Sequence, residues 1–126
     1  MKTIIAGSRT ITDSAELEKA IQLSGFKITE VLSGGALGPD TLGANWAKAN
    51  NIPVKYFYPD WKTYGKAAGP IRNSAMVAEA EGAIFLWDGI SRGTKDCITK
   101  AEKKALAIYI HKVERKEENS NETSFR

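Results

Sequence analysis

Short apolar runs alternate with amphipathic stretches along the chain. Residues 3–6 form an apolar run and predict a first strand, which ends in the turn Gly7-Ser8-Arg9. Asp13 and Glu16 have capping-box spacing, and Leu17, Ala20 and Ile21 give the following stretch one apolar helical face that Gly25 ends. Residues 28–32 predict a second strand. It runs into Ser33-Gly34-Gly35-Ala36-Leu37-Gly38-Pro39-Asp40, a glycine-rich turn in which Pro39 suits the first turn of a helix. Leu42, Trp46 and Ala49 mark the buried stripe of that helix, with Gly43 packed closely on a sheet. Residues 53–58 predict a third strand and 59–68 an irregular segment. Gly69-Pro70 opens a helix that runs to about residue 81, with Gly82 as its stop. Residues 83–87 are almost continuously apolar, as in a strand covered on both faces. A polar turn over 88–94 follows, then a helix turning Ile98, Ala101 and Ala105 inward, then a last strand over 106–111.

Strands alternating with helices predict an α/β fold: a Rossmann-like, three-layer α/β/α arrangement with a parallel sheet of about five strands. Residues 1–112 make one domain in this reading. Residues 113–126, charged and nearly free of apolar side chains, are expected as a disordered tail. In such folds ligands sit outside the carboxyl ends of the strands. That rule gathers the turns at 7–9, 33–40 and 87–94 on one edge. The central turn alone is read equally well as a strand-to-helix connection with no ligand. Three glycine-containing turns on one edge make the stronger signal. Glycines admit a ligand close to the backbone, and helix N-termini favour an anion.

Composition narrows the class. The chain has 126 residues, 42% of them hydrophobic, and no apolar run nears the ~18 residues of a membrane span. Its N-terminus lacks the length of a signal peptide before Gly7. Cys97 is the single cysteine and His111 the single histidine, so neither a disulfide framework nor a structural zinc site is expected. No metal or cofactor is expected, and the cytoplasm is the expected compartment. The net charge of +3 is a mild excess. Arg9, Lys62, Lys66, Arg72, Arg92 and Lys95 lie in or beside glycine-containing turns, which matches a small anionic ligand better than a duplex. Lys100, Lys103 and Lys104 read as a solvated helix face.

Four motifs stand in order: Gly7-Ser8-Arg9; Ser33-Gly34-Gly35-Ala36-x-Gly38-x-Asp40; Ala68-Gly69-Pro70-x-Arg72-Asn73-x-x-Met76; and Trp87-Asp88-Gly89-x-Ser91-x-Gly93-Thr94. Together they resemble the YspA-type, cpYpsA-related branch of the SLOG superfamily. That superfamily also holds the LOG nucleotide hydrolases and nucleotide-sensing domains of bacterial defence systems. The resemblance implies a nucleotide or nucleotide-derived ligand. Gly34, Gly35, Gly38, Gly93 and Thr94 would line its phosphates or ribose, Ser8 and Ser33 would donate hydroxyl hydrogen bonds, and Gly7, Asp88 and Ser91 join them as ligand-binding positions. Arg9 and Arg72 would supply charge-assisted bonds. Alternatives stay open: Arg72 pairing with Glu79 or a C-terminal carbonyl, Asn73 bracing a loop rather than reading a ribose or base edge, and Asp40 capping its helix rather than accepting from a ribose hydroxyl. Trp61 and Tyr64 are the candidates for stacking on a base, while Trp87 ends a buried strand and reads as core.

The chain also departs from the pattern. Leu37 stands where relatives often carry a basic residue, and Pro39 replaces a small one. The LOG hydrolases carry a glutamate where this chain has Cys97. Asp96 is one position off, about a third of a turn away on a helix. Without that carboxylate, a non-catalytic binder is expected: one that senses or sequesters an NAD- or ADP-ribose-related or cyclic signalling nucleotide. Such a binder would suit a phage protein blunting nucleotide-signalled immunity. The alternative is a nucleotide N-glycosidase or phosphoribohydrolase using Asp96, and Cys97 reads as a buried structural thiol. Single-strand DNA binding ranks last, and an even-numbered homo-oligomer is expected.

Overall fold

Ile4 and Ile5 in one strand and Ile84 and Phe85 in another are fully buried, because their strands sit at the middle of a sheet with helices on both sides. The computed structural model describes residues 1–114. In chain order the elements are β1 (Lys2–Gly7), α1 (Ser14–Ser24), β2 (Glu30–Ser33), α2 (Pro39–Ala49), β3 (Val54–Tyr56), α3 (Trp61–Tyr64), α4 (Ala68–Glu79), β4 (Gly82–Trp87), α5 (Arg92–Lys103) and β5 (Ala107–Lys112). The five strands are all parallel, in the order β3-β2-β1-β4-β5.

Alternation along the strands divides the core in two. Ile4, Leu32 and Phe85 pack with Met76 and Val77 of α4 and with Cys97 and Ile98 of α5. Ile5, Val31 and Ile84 pack with Leu17 and Ala20 of α1 and Ala47 of α2. This is the three-layer Rossmann-like fold. The chain builds outward from β1 to β3, then returns to lay β4 on the other side of β1. The switch point therefore lies between β1 and β4, where a crevice opens at the carboxyl edge. Gly7 permits that junction: a Cβ there would collide with the Leu86 carbonyl.

Local differences from the sequence reading have physical causes. Asp13 caps α1 by accepting from Ala15 N at 2.9 Å. Glu16 does not complete a capping box. Its carboxylate lies 2.8 Å from Nε2 of His111 in β5. The buried face of α2 is Gly43, Ala44 and Ala47, with Leu42 and Trp46 half-buried and Ala49 exposed. Small residues win that face because the helix lies against Ile5, whose Cγ2 would stand 2.7 Å from a Cβ at Gly43. Residues 59–68 are not irregular. Asp60 caps α3 through Thr63 N at 3.1 Å, and a 3-10 turn over Gly65–Ala67 leads into α4. Helix α4 ends at Glu79, where Ala80 turns extended, so Gly82 begins β4 rather than stopping the helix. Ala105 lies beyond α5, exposed and at φ 59°. From residue 115 the expected tail lies outside the described residues, and Val113 still donates its N–H to Trp87 O at 2.9 Å.

Candidate functional site

A groove of about 1050 Å³ opens at the carboxyl edge, on the side of the sheet covered by α4 and α5. Its walls come from every segment that follows a strand on that edge, from β1 through β4. Gly7 and Arg9 follow β1, Gly34, Gly35 and Asp40 follow β2, and Trp61 follows β3. Arg72 and Asn73 come from α4, and Ser91, Gly93, Thr94 and Asp96 from the start of α5. The sequence picked out all of these residues, and the fold brings them to one groove.

Five other residues that the sequence singled out do not line it. Ser8 is buried, and its Oγ accepts from Asp88 N at 3.0 Å, tying the β1 turn to the β4 turn. Ser33 is also buried; its Oγ donates to Asp40 O at 3.2 Å and accepts from Gly35 N at 3.2 Å. The Asp88 carboxylate accepts from Ile90 N at 2.8 Å and Ser91 N at 2.9 Å, shaping the turn into α5. Gly38 is the N-cap of α2 at φ 81°, set so tightly against Arg9 that a Cβ would lie 2.9 Å from its Cα. These four hold the loops that form the groove. Tyr64 faces a smaller side pocket of about 170 Å³, next to Phe57 and Ile71.

Arg72 and Asn73 form a polar chain across the groove. Arg72 Nη1 donates to Gly34 O at 2.5 Å, and its Nε donates to Asn73 Oδ1 at 3.0 Å. Asn73 Nδ2 donates to Asp96 Oδ2 at 3.0 Å and to Gly93 O at 3.3 Å. Asp96 in turn pairs with Lys100 at 2.7 Å. The chain thus ties the β2 loop to the start of α5. Arg72 does not pair with Glu79, which binds Lys55 at 2.8 Å instead.

Asp40 is the second residue of α2 and not its N-cap. It is 5% exposed, and its Oδ2 accepts from Ala36 N at 3.1 Å. Burial pushes its pKa from 3.8 up to about 6, against the opposing pull of the Ala36 N–H and the Arg72 charge. Cys97 is 2% exposed. Burial, with the Asp40 and Asp96 charges nearby, pushes its thiol up to about 12, so it carries no thiolate near neutral pH.

The exposed positive charge and an open helix start lie towards β1 and β4. Helix α5 starts at Ser91 with no side chain capping its backbone, because the Ser91 and Thr94 hydroxyls bond each other at 3.1 Å. The first-turn N–H groups have no acceptor within the helix. A Cβ at Gly93 would meet nothing within 4 Å, so the approach is open. Arg9 and Arg92 are exposed at the groove and make no ion pair among the described residues. Arg92 was visible in sequence only as a basic residue beside a glycine turn.

Sequence reasoning missed Tyr58. It lines both the groove and the side pocket, and its ring covers Gly35 so closely that a Cβ there would strike it. The signal was an aromatic next to Pro59, just past a strand end. Among the described residues, no three of His, Cys, Asp and Glu group as a metal site, and no helix is long and apolar enough to cross a membrane.

The family model of the YspA, cpYpsA-related SLOG (YAcAr) family matches residues 1–64. The chain belongs to that family. A curated relative of this YAcAr chain, the gene 61 protein of Mycobacterium phage D29, is 30% identical over 117 residues, covering 85% of the chain and 93% of the relative. Among solved structures, DNA processing protein A (DprA) from Streptococcus pneumoniae matches it with a TM-score of 0.67 at 18% identity. That match covers 86% of the YAcAr chain and 49% of DprA, so the chain spans about half the length of that protein. At this identity the likeness is one of fold.

Proposed function

We propose that this SLOG protein binds a small nucleotide-derived anion and releases it unchanged, acting as a sensor or a sequestering protein. The observation that carries this reading is the uncapped start of α5, flanked by Arg9 and Arg92, opening on a groove lined by Cys97, where the resemblance to the hydrolases implies a glutamate. The helix dipole and the two guanidinium groups favour phosphate there. Asp96, one position from Cys97, is held by both Lys100 and Asn73. The groove is of ligand size. The ligand class is an NAD- or ADP-ribose-related or cyclic signalling nucleotide. The proposal extends to a role in blunting nucleotide-signalled immunity; the relative's phage source is the context in which such a role would arise.

One observation favours a second reading, nucleotide N-glycoside hydrolysis. The Asp40 carboxyl faces the groove with its pKa raised to about 6, within reach of general acid–base work near neutral pH. Mass spectrometry decides between the two. Small molecules released by denaturing the purified protein should include an intact nucleotide, and incubation with that nucleotide should yield no free base. Base release that disappears in Asp96→Asn or Asp40→Asn would establish the hydrolase.

Self-association belongs to the same proposal. Leu37 beside the groove and Ile71 beside its side pocket are exposed apolar groups, and an even-numbered homo-oligomer would cover them. Light scattering should show more than a monomer at micromolar concentration.

A further inference from the structure

Aromatic rings and positive charge occupy opposite ends of the groove. Tyr58 and Trp61 stand beyond β3, and both are mostly exposed, at 68% and 58%. Tyr58 is also held in place. Its ring stacks on Tyr56 at 5.5 Å with planes 7° apart, and it packs over the bare backbone of Gly35. Trp61 is anchored at the start of α4, where a Cβ on Gly69 would lie 3.6 Å from its Cη2. Burying a large ring costs little entropy when its support is already built, and an exposed face so supported suits a flat aromatic partner. At the other end, beyond β1 and β4, lie Arg9, Arg92 and the open first turn of α5.

We infer that Tyr58 and Trp61 form a base-stacking shelf at the end of the groove away from the start of α5. This inference rests on the nucleotide-binding reading and adds the base's position. It also moves the second stacking role from Tyr64 to Tyr58, because Tyr64 lines only the side pocket.

Calorimetry on the full chain tests it with the four nucleoside diphosphates, ADP-ribose and inorganic pyrophosphate. One or more diphosphates should bind. Tyr58→Leu should weaken the diphosphate about tenfold and leave pyrophosphate unchanged, the scale of one lost base–aromatic stack. Tyr58 is exposed, so the variant keeps its fold, and Tyr64→Leu should behave as the wild type. Tryptophan emission should fall on adding the diphosphate and stay level with pyrophosphate. Loss in Tyr64→Leu with none in Tyr58→Leu would place the base in the side pocket and overturn the shelf. If no diphosphate and no ADP-ribose binds the wild type, the nucleotide reading itself fails and takes the shelf with it.

Discussion

Arg72 of α4 reaches across the groove to the loop after β2, where its Nη1 donates to Gly34 O at 2.5 Å. Only glycine leaves room for that approach. A Cβ at position 34 would stand 2.5 Å from Nη1 and 2.7 Å from Asp40 Oδ2. Arg72 therefore shapes the site as well as charging it. Arg72→Ala should lower folding stability by about 1.5–3 kcal/mol, the range for hydrogen bonds to a charged group. Arg72→Lys should restore little of it, because a point charge cannot serve Gly34 O and Asn73 Oδ1 together. Denaturant titration checks this, and an unchanged midpoint in the Ala variant would show that the bond adds nothing to the fold.

Arg9 should behave in the opposite way. It is exposed at the groove, with no ion pair among the described residues. Arg9→Ala should leave stability within about 0.5 kcal/mol of wild type. It should weaken an anionic ligand by about 1.5–3 kcal/mol. The pair of variants separates support from recognition: melting curves should move for Arg72 alone and affinity for both. An Arg9 variant with full affinity would remove this side chain from the anion site.

Gly43 is a packing residue rather than a flexible one. Its Cα faces Ile5, whose Cγ2 and Cβ would stand 2.7 and 2.8 Å from an added methyl. Alanine is the better helix former, yet Gly43→Ala should destabilise by about 1–3 kcal/mol, the usual cost of overpacking a filled core. A more stable variant by thermal melting would mean that α2 can lift off β1 without loss.

The parts of this fold that were legible in sequence are those set by local pattern. The buried runs of β1 and β4 and the glycine turns at the strand ends are written in neighbouring residues. Their convergence follows from the topology of parallel sheets, so the groove's residues were largely readable. Long-range pairing was not. Glu16 has the spacing of a capping residue, but its carboxylate goes to His111, far away in sequence. The face that α2 buries depends on Ile5 beneath it, so its large residues Leu42 and Trp46 gave the wrong stripe. Ser8 and Ser33 carry hydroxyls suited to a ligand. The backbone around them takes those hydroxyls first, because a buried polar group costs free energy unless it is bonded. Tyr58 was missed because its role comes from Gly35 and Tyr56, which support its ring from neighbouring segments.

Asp40 should make stability depend on pH in a direction opposite to that of a salt-bridged carboxylate. Its pKa is raised from 3.8 to about 6, with burial as the leading cause. Between those values the folded protein holds a proton at Asp40 that the unfolded chain has released. The Asp40 contribution therefore favours folding in acid, fades as pH rises through about 4 to 6, and is level above that. A shift of that size corresponds to roughly 3 kcal/mol. Asp40→Asn has no charge to bury, and its amide oxygen can still accept from Ala36 N. The stability of Asp40→Asn relative to wild type should therefore rise by about 2.4 kcal/mol between pH 4 and pH 7. Taking the difference between the two proteins in matched buffers cancels the other titrating groups. A difference that stays constant across that interval would show that Asp40 ionises freely, and would remove it as an acid for any chemistry in the groove.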